Sequence, residues 1–528
     1  PAPAAKADST VKPVQIDLEG LPLRIRRVPV PSGNYDALHV NAEALFYTAR
    51  GSGADARTDL MALKIGNEKP EPVVVVDSIR STELSGNGKK MLVRKGNTLH
   101  VIDAHAAKAA NFSDSRVDLA GWTFPIDTRD DFRQLFVDAW RLERDWFYDP
   151  NLHGVDYKAT LDKYMALVPR ITTRAELSDL IGWAVGELSA LHTSVGGGDL
   201  RRGEDNIAVA SLGARLFRDP ARGGYRVDYV YRTDPDYPAE RSPLADPELN
   251  VRAGDVITAV NGTKSLSVRD IGELLRNQVA RQVLLTIASE GQGPRDIVVE
   301  PIGNEQNLRY ADWEYTRRLA TEQKGEGRLG YVHLRAMGDN DINQFYREFT
   351  PQFNKQGIIL DMRQNRGGNI DSWVLEMLSR KPWMYWKDRV GEPYWNMQGA
   401  FRGHMVMLVD QETASDGEAV ADGFRRLGLG VVIGTRTWGG EIWLSGVNTL
   451  SDNGVARAPM MGVYGPEGKW LIEQEGVIPD IVVDNLPHAT FEGRDAQLEA
   501  AIAYLQKKIA DDPRPVPKAP PYPKKIVP

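Results

Sequence analysis

Short apolar runs separated by turn residues fill residues 15 to 125. ALFYTAR, LMALKI, PVVVVD, KMLVRKG and LHVIDA alternate apolar and polar positions or run apolar, as strands do. SGNGKK lies between two of them and carries an Asn-Gly turn pair. Short strands at even spacing predict blades of a β-propeller, with material for about two where a closed ring needs about four. The stretch is therefore a small β-domain or the end of a longer propeller. The Ala/Pro-rich residues before it predict a flexible lead.

From residue 126 the apolar period lengthens. RDDFRQLFVDAWRLERDWFYD has helical spacing, and a second helix is expected to start at Thr173, where Glu176 completes a capping box. Its stripe of Leu177, Leu180, Ile181, Ala184, Val185, Leu188 and Leu191 predicts a core-facing helix ending at His192, just before Gly196, Gly197 and Gly198. Strands return from 207 to about 305, with Asn261-Gly262 as a hairpin turn and a helix expected from about Val268. Residues 306 to 510 then alternate. RLGYVHLRAM, GIILDMRQ, HMVMLVDQ and GVVIGTRT are strands, while INQFYREFTPQF, SWVLEMLSR and ASDGEAVADGFRRLG are helices. Such a βαβ series predicts an α/β layer domain. A Pro-rich tail, 511–528, closes the chain.

Length and composition narrow the function. A chain of 528 residues exceeds one compact core. Its net charge of -7 argues against nucleic-acid binding. No apolar run reaches the roughly 18 residues of a membrane span. The absence of cysteine excludes disulfides, thiol catalysis and cysteine zinc sites, and the eight histidines form no HExxH, so neither metal nor cofactor is expected. The start PAPAAKADST, without Met, reads as processed or truncated.

Three places in the α/β region have chemical character. Ser415 lies where the VMLV strand gives way to a helix, as nucleophiles do beyond the carboxyl ends of strands. The competing reading is an N-cap, with Glu418 closing the box. DMRQNRGGN can form a nest of backbone N–H groups for an oxyanion, or only a tight turn with Gly367 and Gly368 at positive φ. His192 is a proton acceptor in one reading and a structural histidine in the other.

GDVITAVNG resembles the hallmark of a PDZ domain. With LPLRIRRVPVPSGNY, RDWFYDPNLHGVDY, ELSALHTSVGGGDL, RQNRGGN and ASDGE in order, the chain resembles the tricorn protease family, relatives of the carboxyl-terminal processing peptidases, from about residue 15 to 505. The implied fold is multidomain α/β. Terminal β-propeller strands occupy 1–125, a helical domain with the histidine 126–206, a PDZ domain 207–305 and a ClpP/crotonase-like α/β catalytic domain 306–510. The resemblance implies a serine peptidase cutting unfolded oligopeptides. Ser415 would be the nucleophile, His192 the general base, the N–H groups of Gly367 and Asp416 the oxyanion hole, and Glu473 the acid acting through an intermediary. Glu475 competes for that last place. Asp388 is the implied reader of basic substrate side chains. A homo-oligomer is implied, a hexameric ring in many members. The expected setting is cytoplasmic, with the periplasm as alternative.

One position departs from the family pattern. The serine expected before the histidine is Leu191, which leaves Ser189, Thr193 or Ser194 as substitutes. This departure sustains a non-catalytic peptide-binding protein as a competing class; the similar layers of the catalytic domain suggest a crotonase-like acyl-CoA enzyme as another, against which the PDZ domain and His192 argue.

Overall fold

The computed structural model describes residues 17–524 except 26, 53–55, 67–70, 201–202, 204–206, 445 and 447. The expected flexible lead lies outside the described residues. The chain divides into two compact units, Pro1–Pro125 and Ile126–Pro528.

In the first unit, strands Asn34–Val40, Ala44–Arg50, Thr58–Lys64 and Val73–Val76 form a four-stranded sheet with neighbours antiparallel in chain order. Ser81–Leu84, Lys90–Lys95 and Thr98–Asp103 form a three-stranded one. Phe46, Leu60, Val75, Met91 and Val93 share one apolar core. The first sheet has the strand count of a propeller blade.

The second unit is organised around a parallel sheet. Its order is Leu329–His333, Gly357–Asp361, His404–Val409, Gly430–Gly434, Ile481–Val482. The first three of these strands are buried at every position, and all but His333, Asp361 and His404 in them are apolar or glycine, because both faces are covered. Ile358, Leu360, Met407, Val409 and Val432 face a core shared with the helices Asp339–Phe349, Asp371–Ser379 and Asp416–Arg426. Ile359, Val406, Leu408 and Ile433 face the opposite way, onto the helix Ala496–Asp511.

Two further modules flank this layer. An antiparallel sheet runs Arg295–Val299, Val283–Ala288, Val256–Val260, Gly224–Val230, Ala214–Asp219. Asn261 and Gly262 make its hairpin turn at φ 48° and 77°. The helix expected from Val268 is instead two short 3-10 turns, Ser265–Ser267 and Ile271–Leu275. Asp270 caps the second turn, with its carboxylate on the Gly272 N–H, and so fixes where that turn begins. The helical module packs Thr128–Trp146, Tyr157–Met165 and Arg174–Gly186 around Leu135, Phe136, Leu177, Leu180 and Ile181.

The Thr173 capping box forms, but the helix it starts ends at Gly186, not at His192. After it Ser189 takes a left-handed φ of 51°. Leu188 leaves the helical stripe to join Phe147, Tyr157, Ala190 and Ile442, and Leu191 turns outward. His192 therefore sits on a loop. The strand Ser194–Gly197 that follows pairs antiparallel with Gly454–Arg457. Arg174, buried, also binds the largely buried Asp452 at 2.5 Å. These links seat the loop beside the parallel sheet.

Beyond Asp511 the described part of the Pro-rich tail has no regular structure, yet it is held: Arg514 donates to the Gly403 carbonyl at 3.1 Å.

Candidate active site

Three consecutive sheet neighbours end in loops at their carboxyl edge: 362–370, 410–415 and 435–442. This is where open α/β sheets build sites. Ser415 stands at the start of its helix with φ 54° and ψ −129°. A non-glycine residue holds such a conformation at a cost of about 1–3 kcal/mol and only when its surroundings impose it. Here they do. The buried Glu418 carboxylate accepts the Ser415 N–H at 3.1 Å, the Gly439 N–H at 2.7 Å, the Gly440 N–H at 2.9 Å and the Thr437 hydroxyl. Only half of the expected capping box is therefore built. The Glu418 N–H goes to the Ser415 carbonyl at 2.6 Å, and the serine side chain makes no cap hydrogen bond. Its hydroxyl is left for chemistry.

Gly367 touches that hydroxyl. Its φ is +75°, and a Cβ there would lie 2.5 Å from Ser415 Cβ and 2.9 Å from Oγ. Its N–H donates to Asn365 Oδ1 at 2.9 Å, while Asn365 Nδ2 holds the Leu334 carbonyl at 2.8 Å. The Asp416 N–H, first of its helix, finds no acceptor among the described residues. Asp416 Oδ2 accepts the N–H groups of Ile370 and Asp371, which ties the Ser415 turn to the glycine loop. Burial and Asp371 push the Asp416 carboxyl up to about 7. Beneath this loop Arg363 is buried between Asp361, at 2.6 Å, and Asp495, at 2.8 Å, and its charge holds the Asp495 carboxyl well below the usual range. Gly367→Ala is expected to lower kcat/KM by about 10²-fold or more, because the added Cβ collides with the Ser415 side chain and displaces the Gly367 N–H beside it. Steady-state kinetics on a fluorogenic peptide check this, and parental activity would refute it.

His192 meets the same corner through Trp438. The two rings lie edge to face, 5.5 Å apart, and the Trp438 N–H donates to the Thr413 carbonyl at 3.0 Å, two residues before the serine. Burial holds the imidazole below its ordinary pKa, opposed by Glu473 and the Ile442 carbonyl, so the ring is neutral and able to accept a proton at pH 7. No hydrogen bond joins Ser415 Oγ to His192 in this structure, and Nδ1 is buried without a partner. Catalytic contacts of this kind commonly tighten only with substrate bound.

Glu473 shows how the segment manages without a serine at 191. Oε1 accepts the Leu191 N–H at 2.7 Å, and Oε2 accepts the N–H groups of Glu441 at 2.9 Å and Ile442 at 3.2 Å. One carboxylate thus stitches the backbone before the histidine to the backbone whose carbonyl faces it. Glu475 is exposed. The hydroxyls of Ser189, Thr193 and Ser194 make no hydrogen bond to His192 or Glu473. Asp388 is exposed in the hairpin loop between Met384–Trp386 and Tyr394–Asn396, with no hydrogen bond or ion pair to these residues. Sequence reasoning missed Asn365, Trp438 and Glu441. A charged residue directly after Gly439-Gly440, in the loop that follows the strand Gly430–Gly434, was the available signal for the last. Among the described residues no group of acidic and histidine side chains is arranged to hold a metal ion.

The model of peptidase family S41 matches residues 328–483, that of the tricorn protease C1 domain 128–186, and that of the tricorn protease PDZ domain 210–304. Tricorn protease homolog 1 of Streptomyces coelicolor is 32% identical over 520 residues, covering 95% of this chain and 48% of that protein. The chain belongs to the tricorn protease family. The tricorn protease homolog of Saccharolobus solfataricus is 29% identical over 516 residues, covering 96% of the chain and 48% of its own length. The crystal structure of the tricorn protease superposes with a TM-score of 0.82 at 23% identity over 91% of the chain and 47% of its own length, which establishes a tricorn-type multidomain α/β fold. The chain spans about half the length of these tricorn relatives. No helix among the described residues is long and apolar enough to cross a membrane.

Proposed function

We propose that this chain is a serine peptidase that cleaves unfolded oligopeptides by acyl transfer through Ser415. The observation that carries the proposal is the free Ser415 hydroxyl at φ 54°, against Gly367 and at a helix N-terminus. In the first half-reaction Ser415 Oγ bonds to the scissile carbonyl carbon while His192 takes the hydroxyl proton. The Asp416 N–H receives the oxyanion together with the Gly367 N–H, which Asn365 Oδ1 holds until then. His192 then protonates the amine as the C–N bond breaks. Water repeats the addition, and the acyl group leaves as a carboxylic acid. Glu473 acts through backbone, by fixing the segments on either side of the imidazole.

Domain limits at 125, 206, 305 and 510, assembly into a homo-oligomer such as a hexameric ring, and a cytoplasmic setting belong to the same proposal and rest on the family resemblance. The direct test is labelling with a fluorophosphonate followed by peptide mapping. Label on Ser415, lost in His192→Ala, is the expected result. An unlabelled Ser415 in the folded parent would refute the reading in favour of a binding protein.

Leu191→Ser is expected to keep kcat/KM within about tenfold of the parent or raise it, because the Leu191 backbone already engages Glu473 and its side chain is exposed. A larger loss with an unchanged melting curve would show that the leucine itself is needed.

A further inference from the structure

A second histidine reaches the loop that carries His192. The helix Thr128–Trp146 runs out into Phe147, Tyr148 and Asp149, and a short turn, Leu152–Gly154, follows. Leu152, His153 and Gly154 stand there at φ 52°, 55° and 78°. Two of them carry a Cβ, and such residues keep these angles only where their surroundings impose them. The Asp149 carboxylate does so. Its Oδ1 accepts the Asn151 N–H and its Oδ2 the His153 N–H, each at 2.9 Å. What the turn achieves is the aim of one ring.

That ring lies edge to face on Phe147, 5.0 Å away, and its Nδ1 is 2.8 Å from the Leu188 carbonyl. A carbonyl only accepts, so Nδ1 carries the proton and Nε2 is left as an acceptor in the neutral ring. Tyr148 supplies the matching donor, its hydroxyl 2.6 Å from Nε2. Burial, Asp149 and Glu473 hold the tyrosine above its ordinary pKa, so the hydroxyl keeps its proton. Tyr148 is itself fixed, by its N–H on the Pro459 carbonyl at 2.9 Å and by the Trp470 ring 5.5 Å away.

Leu188 is the last residue before the loop turns at Ser189, and His192 is four residues on. Two side chains from the chain after residue 470 hold this backbone: Gln474 donates to the Ser189 carbonyl, and Glu473 accepts the Leu191 N–H. His153 supplies the anchor from the helical module. The Leu188 side chain packs with Phe147, Ala190 and Ile442, and the Ile442 carbonyl faces His192. A shift of Leu188 is thereby carried to the imidazole.

We propose that His153 is a positioning residue for the base: by donating its Nδ1–H to the Leu188 carbonyl it fixes the turn that presents His192 toward Ser415. The proposal rests on His192 being the base of acyl transfer. His153 touches no reacting atom. It holds a carbonyl where Glu473 holds N–H groups, so neither side chain can stand in for the other.

The test compares His153→Gly, His153→Asn and His153→Asp in the full chain on a fluorogenic peptide. Glycine removes the ring and relaxes the left-handed backbone, so melting is not lowered on that account. Asparagine and aspartate share a shape and both tolerate such a φ. Only asparagine offers an N–H at the place of Nδ1. His153→Gly is expected to lower kcat by about tenfold or more, with KM within about threefold of the parent, as for a misplaced catalytic group. His153→Asp is expected to fall as far, and His153→Asn to stay within about threefold of the parent. The pH profile is an independent readout. Burial holds His192 below its ordinary pKa, opposed by Glu473, the charged group that faces it. A loosened loop admits water, so the acidic limb of kcat/KM in His153→Gly is expected to move up in pH toward that of an ordinary imidazole. A kcat of His153→Gly within about threefold of the parent, or equal activity of the asparagine and aspartate variants, overturns the proposal. If His153→Gly melts early, the comparison of asparagine with aspartate decides. Fluorophosphonate labelling of His192→Ala runs alongside. Label that persists there shows failure of the base reading, whereas label lost there beside a fully active His153→Gly shows failure of this proposal alone.

Discussion

Ser415→Ala lowers kcat for peptide hydrolysis by roughly 10⁶-fold and leaves the melting temperature within about 1 °C of the parent. Loss of the nucleophile sets the size of the first effect, because the oxyanion donors and substrate contacts that remain retain only a small part of the acceleration. The second follows from where the hydroxyl is absent. It caps nothing, since the helix start is held by the Glu418 carboxylate on the Ser415 N–H and on the loop of Gly439 and Gly440. Alanine keeps that backbone bond. Activity and melting are measured on one preparation. A mutant within tenfold of the parent would remove Ser415 from the mechanism, and a large drop in melting temperature would return it to a capping role.

Glu143→Gln stabilises the protein, by an amount that grows with pH to on the order of 4 kcal/mol near pH 8. Glu143 is fully buried on the helix Thr128–Trp146, and neither carboxyl oxygen has a partner. Burial raises it from 4.5 to about 8. Because the folded pKa lies above the unfolded one, the native state is fully favoured below about pH 4.5 and loses that advantage as pH rises toward 8. Glutamine cannot ionise, so its curve lacks this loss. Urea unfolding from about pH 5 to pH 9 checks the result, and parallel curves for mutant and parent would refute it. Tyr157, whose hydroxyl is also unpartnered, belongs to the apolar group with Leu188, Ala190 and Ile442 that underlies the histidine loop. Alkaline loss of stability and loss of activity are therefore expected together.

The parallel layer was legible because its central strands are buried on both faces and so run apolar, as MVMLV and GIIL do. Glycine placement was legible at Gly367 and at Asn261-Gly262, where positive φ restricts the residue. The end of the Thr173 helix was not. Leu188 and Leu191 continue its apolar spacing, yet one packs elsewhere and the other faces solvent, and periodicity records only that a residue is apolar. Nor could local pattern separate a capping serine from a nucleophile. The two share Ser-x-x-Glu, and the difference lies in the dihedral angles of Ser415 and in which donors reach Glu418. The family pattern favoured Glu473 over Glu475, but no local signal told which backbone N–H groups its carboxylate would reach.

The pairing of Ser194–Gly197 with Gly454–Arg457, fastened by Glu473 on Leu191, also sets when the histidine loop can first be held in place. His192 is translated before the strand Gly454–Arg457 that seats its loop, and Leu191 lies 282 residues ahead of the Glu473 that holds it. A chain whose residues 454–473 are still unmade lacks both of the contacts that fix the histidine loop.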